Sequence, residues 1–135
     1  SAASDVYKRQ ELKKIAAENL DAARRRLMDI LCNYAGYRKC VPILVFDAYR
    51  VKGAGREQET WHNLHVIYTR EAETADMFIE RATHELAKNH RVRVVSSDGA
   101  EQIIILGNGA LRVSARAFER EVHAVEAEIR EFLDQ

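Results

Sequence analysis

Six consecutive residues, Val41-Pro42-Ile43-Leu44-Val45-Phe46, carry no polar side chain, and the run ends on an acid, Asp47. An apolar run of this length without alternation fits a strand buried on both faces, and such a strand needs cover above and below. It therefore predicts a layered α/β fold in which helices sandwich a mainly parallel sheet. A chain of 135 residues has room for one such core.

The rest of the chain supplies the layers. From Asn19, a residue type suited to an N-cap, apolar side chains recur at Ala23, Leu27, Ile30, Leu31 and Tyr34, a helical stripe that Gly36 is expected to stop. Residues 48–63 contain Gly53, Gly55 and many charges and are expected to form a long exposed loop. Leu64–Thr69 reads as a second strand, Glu73–Lys88 as a helix and Arg91–Ser96 as a third strand. Ala100–Leu106 is expected to be a short helix, followed by a turn at Gly107-Asn108-Gly109. Ser114 caps a last helix with Ala117, Phe118, Val122, Val125 and Ile129 at helical spacing. Strands alternating with helices imply right-handed crossovers and a Rossmann-like, three-layer arrangement. Ser1–Gln10 has no apolar period and looks like adaptor sequence, so residues 1–10 read as a non-native or disordered leader and 11–135 as a single domain.

Composition narrows the function. Lys plus Arg is 21 and Asp plus Glu is 21, so the chain is neither wholesale basic nor acidic. The balance hides an asymmetry: residues 1–56 are net +6 and residues 57–135 net −6. Two cysteines, Cys32 and Cys40, are too few for a disulfide scaffold and too far from histidines for a zinc knuckle. No apolar run approaches the roughly 18 residues of a membrane span, and no signal peptide is recognisable, which points to the cytoplasm and to no membrane partner.

In α/β sheets the ligand crevice lies beyond the carboxyl ends of the strands. Asp47 falls there, Asp98 falls just past the third strand, and Glu73 and Asp76 open the helix after the second. At 100° per residue Glu73, Asp76 and Glu80 lie within about 60° of one another around the helix. Two readings fit these acids: first-turn carboxylates favoured by the helix dipole, with Glu80 paired to an arginine elsewhere, or a cluster that binds a cation. Carboxylates without cysteine or histidine at ligand spacing select magnesium or manganese, and phosphodiester cleavage by water is the natural reaction. An aspartyl-nucleophile phosphatase fits less well, because no second aspartate follows Asp47 two residues on; nor does any strand lead into a phosphate-cradling glycine loop.

Several other residues have two readings. Arg50, Lys52 and Arg56 either grip phosphates or solvate the loop. Arg112, close to Gly109 in a tight turn, suits a bidentate hold on phosphate. Trp61 and His62 either stack on an RNA base or cover the edge of the core. Cys32, Tyr34, Tyr37 and Phe118 read as core.

The motifs Val45-Phe46-Asp47-Ala48, Val51-Lys52-Gly53, Tyr68-Thr69, Glu73-Thr74-Ala75-Asp76, Ile79-Glu80, Ser97-Asp98, Glu101-Gln102, Gly107-Asn108-Gly109-Ala110-Leu111-Arg112 and Ser114-Ala115 together resemble the YacP-like NYN-domain family, over about residues 11–133. The resemblance implies a PIN-like fold and a magnesium- or manganese-dependent endoribonuclease acting on mRNA, in at least one member at the translating ribosome, without a small-molecule cofactor. Carried over by position, Asp76 and Asp98 match acids expected to hold the metal, with Asp47, Glu73 and Glu80 nearby. Lys52, Arg112, Arg50 and Ser97 are the RNA-binding candidates. The family opens on a Val-Asp-Gly-Tyr-Asn type strand that nothing before Glu11 matches. That departure leads us to expect an N-terminally truncated member with its first, central strand missing, a gap in the sheet and one metal ligand fewer. The rival to a nuclease is a non-catalytic RNA- or ribosome-binding module on the same fold.

Overall fold

A computed structural model describes residues 20–47, 58–70, 72–96, 101–107 and 112–135. In chain order the elements are α1 (Leu20–Arg38), β1 (Val41–Phe46), β2 (Gln58–Trp61), β3 (Leu64–Tyr68), α2 (Ala75–Leu86), β4 (Val92–Ser96), β5 (Glu101–Leu106), β6 (Arg112–Ser114) and α3 (Ala115–Leu133). The expected leader, residues 1–10, and the turn residues Asn108 and Gly109 lie outside the described residues.

The strands form one six-stranded sheet in the order β2-β3-β1-β5-β4-β6. β1 pairs parallel with β3, and β4 with β6; β2–β3, β1–β5 and β4–β5 are antiparallel. The α/β layering is as expected, but the described sheet is mixed instead of mainly parallel. Four strands run one way, while β2 and β5 oppose them. The cause is connection length: β4 and β5 are joined by residues 97–100, too short for the dozen-residue crossover that a parallel neighbour requires.

β5 also corrects the expected helix over residues 100–106. Ile103, Ile104 and Ile105 are fully buried, two facing one layer of helices and one the other. Three β-branched residues in succession suit a central strand covered on both faces. The same strand removes the expected gap in the sheet, because β5 is hydrogen-bonded to β1 on one side and β4 on the other.

Three other expectations change. Tyr37, expected in the core, is 43% exposed near the end of α1. The end of the long loop is β2, an edge strand joined to β3 by a two-residue turn in which His62 has φ +55°. Gly36 does not stop α1. The helix runs on to Arg38 and ends with Lys39 in the left-handed conformation (φ +56°), while the Cys40 N–H reaches back to the Ala35 carbonyl at 3.1 Å. That is a Schellman closure, and both Ala35 and Cys40 are buried against it.

The helices divide between the faces. α1 brings Leu27, Ile30, Leu31 and Tyr34, and α3 brings Phe118, Val122 and Val125, onto Leu44, Phe46, Leu64, Val66, Ile103 and Ile105. Phe118 and Tyr34 meet edge to face, with ring centres 5.0 Å apart. On the opposite face α2 sets Ala75 and Ile79 against Val45, Val92, Val94 and Ile104. Ser114 does cap α3, its hydroxyl accepting from the Ala117 N–H at 3.1 Å.

Candidate functional site

The carboxyl ends of β1, β3, β4 and β6 share one edge of the sheet, and the beginning of β5 joins them there. Asp47 is the first residue beyond β1 and is half-buried. Beside it the buried Thr69, just past β3, extends the pairing by one rung as its N–H bonds to the Phe46 carbonyl at 3.0 Å. The chain then turns into α2, capped by Thr74, whose Oγ1 accepts from the Met77 N–H at 3.1 Å. Asp76 stands in the first turn, where the helix macrodipole favours a negative charge.

Gln102 fixes the Asp76 carboxylate. It lies on the face of β5 that meets α2, opposite Val45 in the ladder, and its Nε2 donates to Asp76 Oδ1. Thr69 and Gln102 are the two buried polar residues among the described residues. A buried amide without a partner costs free energy, so the carboxylate and the amide hold each other in place. Sequence reasoning gave Gln102 no role; its signal is a polar residue opening an otherwise apolar run.

The other acids take cationic partners. Glu73 precedes the helix instead of sitting on it, and its carboxylate receives Arg81 through Nε at 3.3 Å and Nη2 at 3.1 Å. Glu80, a turn beyond Asp76, accepts from Arg112 Nη2 at 2.6 Å. The RNA-binding candidate Arg112 therefore ties the start of β6 to α2. Asp47 and Asp76 thus come to one edge, whereas Glu73 and Glu80 are each drawn to an arginine. Asp98, Ser97, Arg50 and Lys52 lie outside the described residues.

Among the described residues no three His, Cys, Asp or Glu side chains stand close enough to hold a metal ion. The chemistry of the donors at the edge does suit one: Asp47, Asp76 and the Gln102 carbonyl are all hard oxygen donors.

Residues elsewhere have structural duties. Tyr34 Oη donates to Glu121 Oε2 at 2.6 Å, and Arg93 Nη1 donates to the same oxygen at 2.6 Å. Burial, with that carboxylate as acceptor, pushes the Tyr34 phenol well above its ordinary range. Burial likewise raises both Cys32 and Cys40, leaving each thiol protonated at neutral pH. Trp61 packs on the main core, donates from Nε1 to Asp29 Oδ1 at 3.2 Å and lies under Arg25. His62 beside it is exposed. No helix among the described residues is long and apolar enough to cross a membrane.

A three-layer α/β fold with aspartates set beyond the carboxyl ends of its strands is the architecture of the PIN-like class. The solved structure of Rae1 (YacP) from Bacillus subtilis superposes with a TM-score of 0.65 at 34% identity, over 84% of this chain and 65% of that one. The model of the YacP-like NYN domain matches residues 6–135. The YacP protein of Bacillus subtilis (strain 168) is 41% identical over 120 residues, which are 88% of this chain and 70% of that protein. The chain belongs to the YacP-like NYN domain family, part of the PIN-like nuclease superfamily.

Proposed function

We propose that this chain is a divalent-metal-dependent endoribonuclease domain that cleaves RNA by attack of water on a phosphodiester. The observation that supports it most is that Asp47 and Asp76, from separate segments, both lie at the carboxyl edge of the sheet, with Gln102 orienting Asp76. Asp47 and Asp76 would hold magnesium or manganese, with Asp98 as the third donor and Glu80 as a further one. When bound, the ion supplies positive charge to the phosphodiester and acidifies the attacking water. Asp47 or Glu73 orders that water. Arg112, with Lys52, Arg50 and Ser97, steadies the substrate backbone. Membership of the NYN family supports RNA as the substrate; mRNA, the ribosome as partner and a cytoplasmic setting belong to the same proposal.

The test is cleavage of an end-labelled single-stranded RNA in magnesium and in manganese. Asp76→Asn should lower the rate by more than about 100-fold, and Gln102→Leu, acting through Asp76, by about 10–100-fold. Undiminished cleavage by Asp76→Asn would end the enzymatic reading. One arrangement favours the alternative of a non-catalytic RNA- or ribosome-binding module: Glu73 and Glu80 are both occupied by arginines. Retention of RNA without metal-stimulated cleavage would establish that alternative.

A further inference from the structure

A cleft of about 580 Å³ opens between the end of β3 and the first two turns of α2, lined in part by Ile67, Thr69, Arg70, Met77, Phe78 and Arg81. Its size falls within the range of small-molecule sites. Phe78 is half-buried, with its inner side packed on the α2 core. The Arg81 guanidinium carbon lies 5.1 Å from the centre of the Phe78 ring, and Glu73 grips that guanidinium with both carboxylate oxygens. The result is an aromatic ring and a planar cation fixed together at a cleft wall. Met77 adds an apolar side chain that is 55% exposed, although a polar residue would suit a site facing only water.

The cleft adjoins the acid edge directly. Thr69 lines it while bonding to the residue before Asp47, and the lining residue Glu73 lies three positions before Asp76. Unpaired bases bind proteins by stacking on aromatic rings and guanidinium planes, and no groove of a duplex offers a base in that way. We propose that this cleft receives one unpaired base of single-stranded RNA, stacked on the Arg81 guanidinium where it lies over Phe78 and packed against Met77, with Arg70 at its phosphate. The placement rests on the reading of the neighbouring edge as a nuclease centre: the base belongs to a nucleotide next to the one that is cut. A base held there presents the adjoining phosphodiester to Asp47 and Asp76 and makes the domain selective for unpaired RNA.

The experiment measures binding of a labelled five-nucleotide RNA by fluorescence anisotropy in EDTA, where neither cleavage nor metal contributes. Phe78→Leu keeps the apolar volume and removes the aromatic face; it should weaken binding about tenfold. A blunt RNA duplex of the same strand should bind at least about tenfold more weakly than the single strand. Photocrosslinking of the wild-type chain to an oligomer containing 4-thiouridine should label residues 75–81, a readout independent of how any variant folds. Equal binding by Phe78→Leu, equal binding of the duplex, or crosslinks confined elsewhere would each overturn the proposal. The Asp76→Asn cleavage assay separates the two ideas: active Asp76→Asn with impaired Phe78→Leu binding discards the catalytic reading and leaves the base cleft standing.

Discussion

The two faces of the sheet are built for different ends. On one, α1 and α3 lay a broad apolar layer over Leu44, Phe46, Val66, Ile103 and Ile105, and Glu121 serves both Tyr34 and Arg93 with one oxygen. On the other, the single helix α2 covers a smaller patch through Ala75 and Ile79. Its polar pairs, Glu73–Arg81 and Glu80–Arg112, sit at the rim, with Arg81, Arg112 and Glu80 largely in solvent. Exposed pairs of that kind contribute little to stability. The comparison teaches that carboxylates of similar appearance in sequence divide by what they hold and not by burial, since the Glu73 side chain is 22% exposed and that of Glu121 28%. Glu121 ties a buried phenol to Arg93, whereas Glu80 and Asp76 stand open to solvent.

The largest effect should come from the thick face. Phe118→Ala opens a hole beneath Tyr34 and is expected to cost about 3–5 kcal/mol by urea denaturation. Ile79→Ala, under one helix whose surroundings can close inward, should cost about 2 kcal/mol. A larger loss at Ile79 than at Phe118 would break the contrast. Next comes the enclosed network. Tyr34→Phe should cost about 1 kcal/mol at neutral pH, since Glu121 keeps Arg93. Because the folded state raises the Tyr34 phenol above its ordinary 10.0, it prefers the protonated form. That stabilisation is complete below pH 10 and drains away as the pH climbs beyond it. Denaturation midpoints between pH 8 and 11 should therefore fall more steeply for the wild type than for Tyr34→Phe. Smallest is Glu80→Gln, which removes an exposed pair and should shift stability by no more than about 0.5 kcal/mol.

Much of this was legible in the sequence. The stripe Leu27-Ile30-Leu31-Tyr34, the run Val41–Phe46 and the Ser114 cap carry strong local signals, and each yields the element expected of it. β5 differs from the expected helix because an apolar run buried on both faces has no period to distinguish strand from helix; its β-branched isoleucines are the better guide. β2 lies at an edge and its burial alternates, but Gln58, Glu59 and Thr60 are all polar, so no apolar period marks it in the sequence. At the candidate site, chain order was enough to bring Asp47 and Asp76 to one end of the sheet. Helical spacing misled for Glu73, which sits before the Thr74 cap and turns to Arg81. Gln102 needed the register of β5 against β1, which no local pattern encodes.

That register has a further consequence. Side chains alternate along a strand, so sliding β5 by a single residue against β1 would turn Gln102 toward α1 and α3 and offer an isoleucine to Asp76 in its place. The mis-slid sheet would also bury an amide in an oily layer with nothing to bond to. Correct threading of the central strand and a correctly aimed aspartate are thus one event, and a molecule that has folded properly has already set its carboxylate.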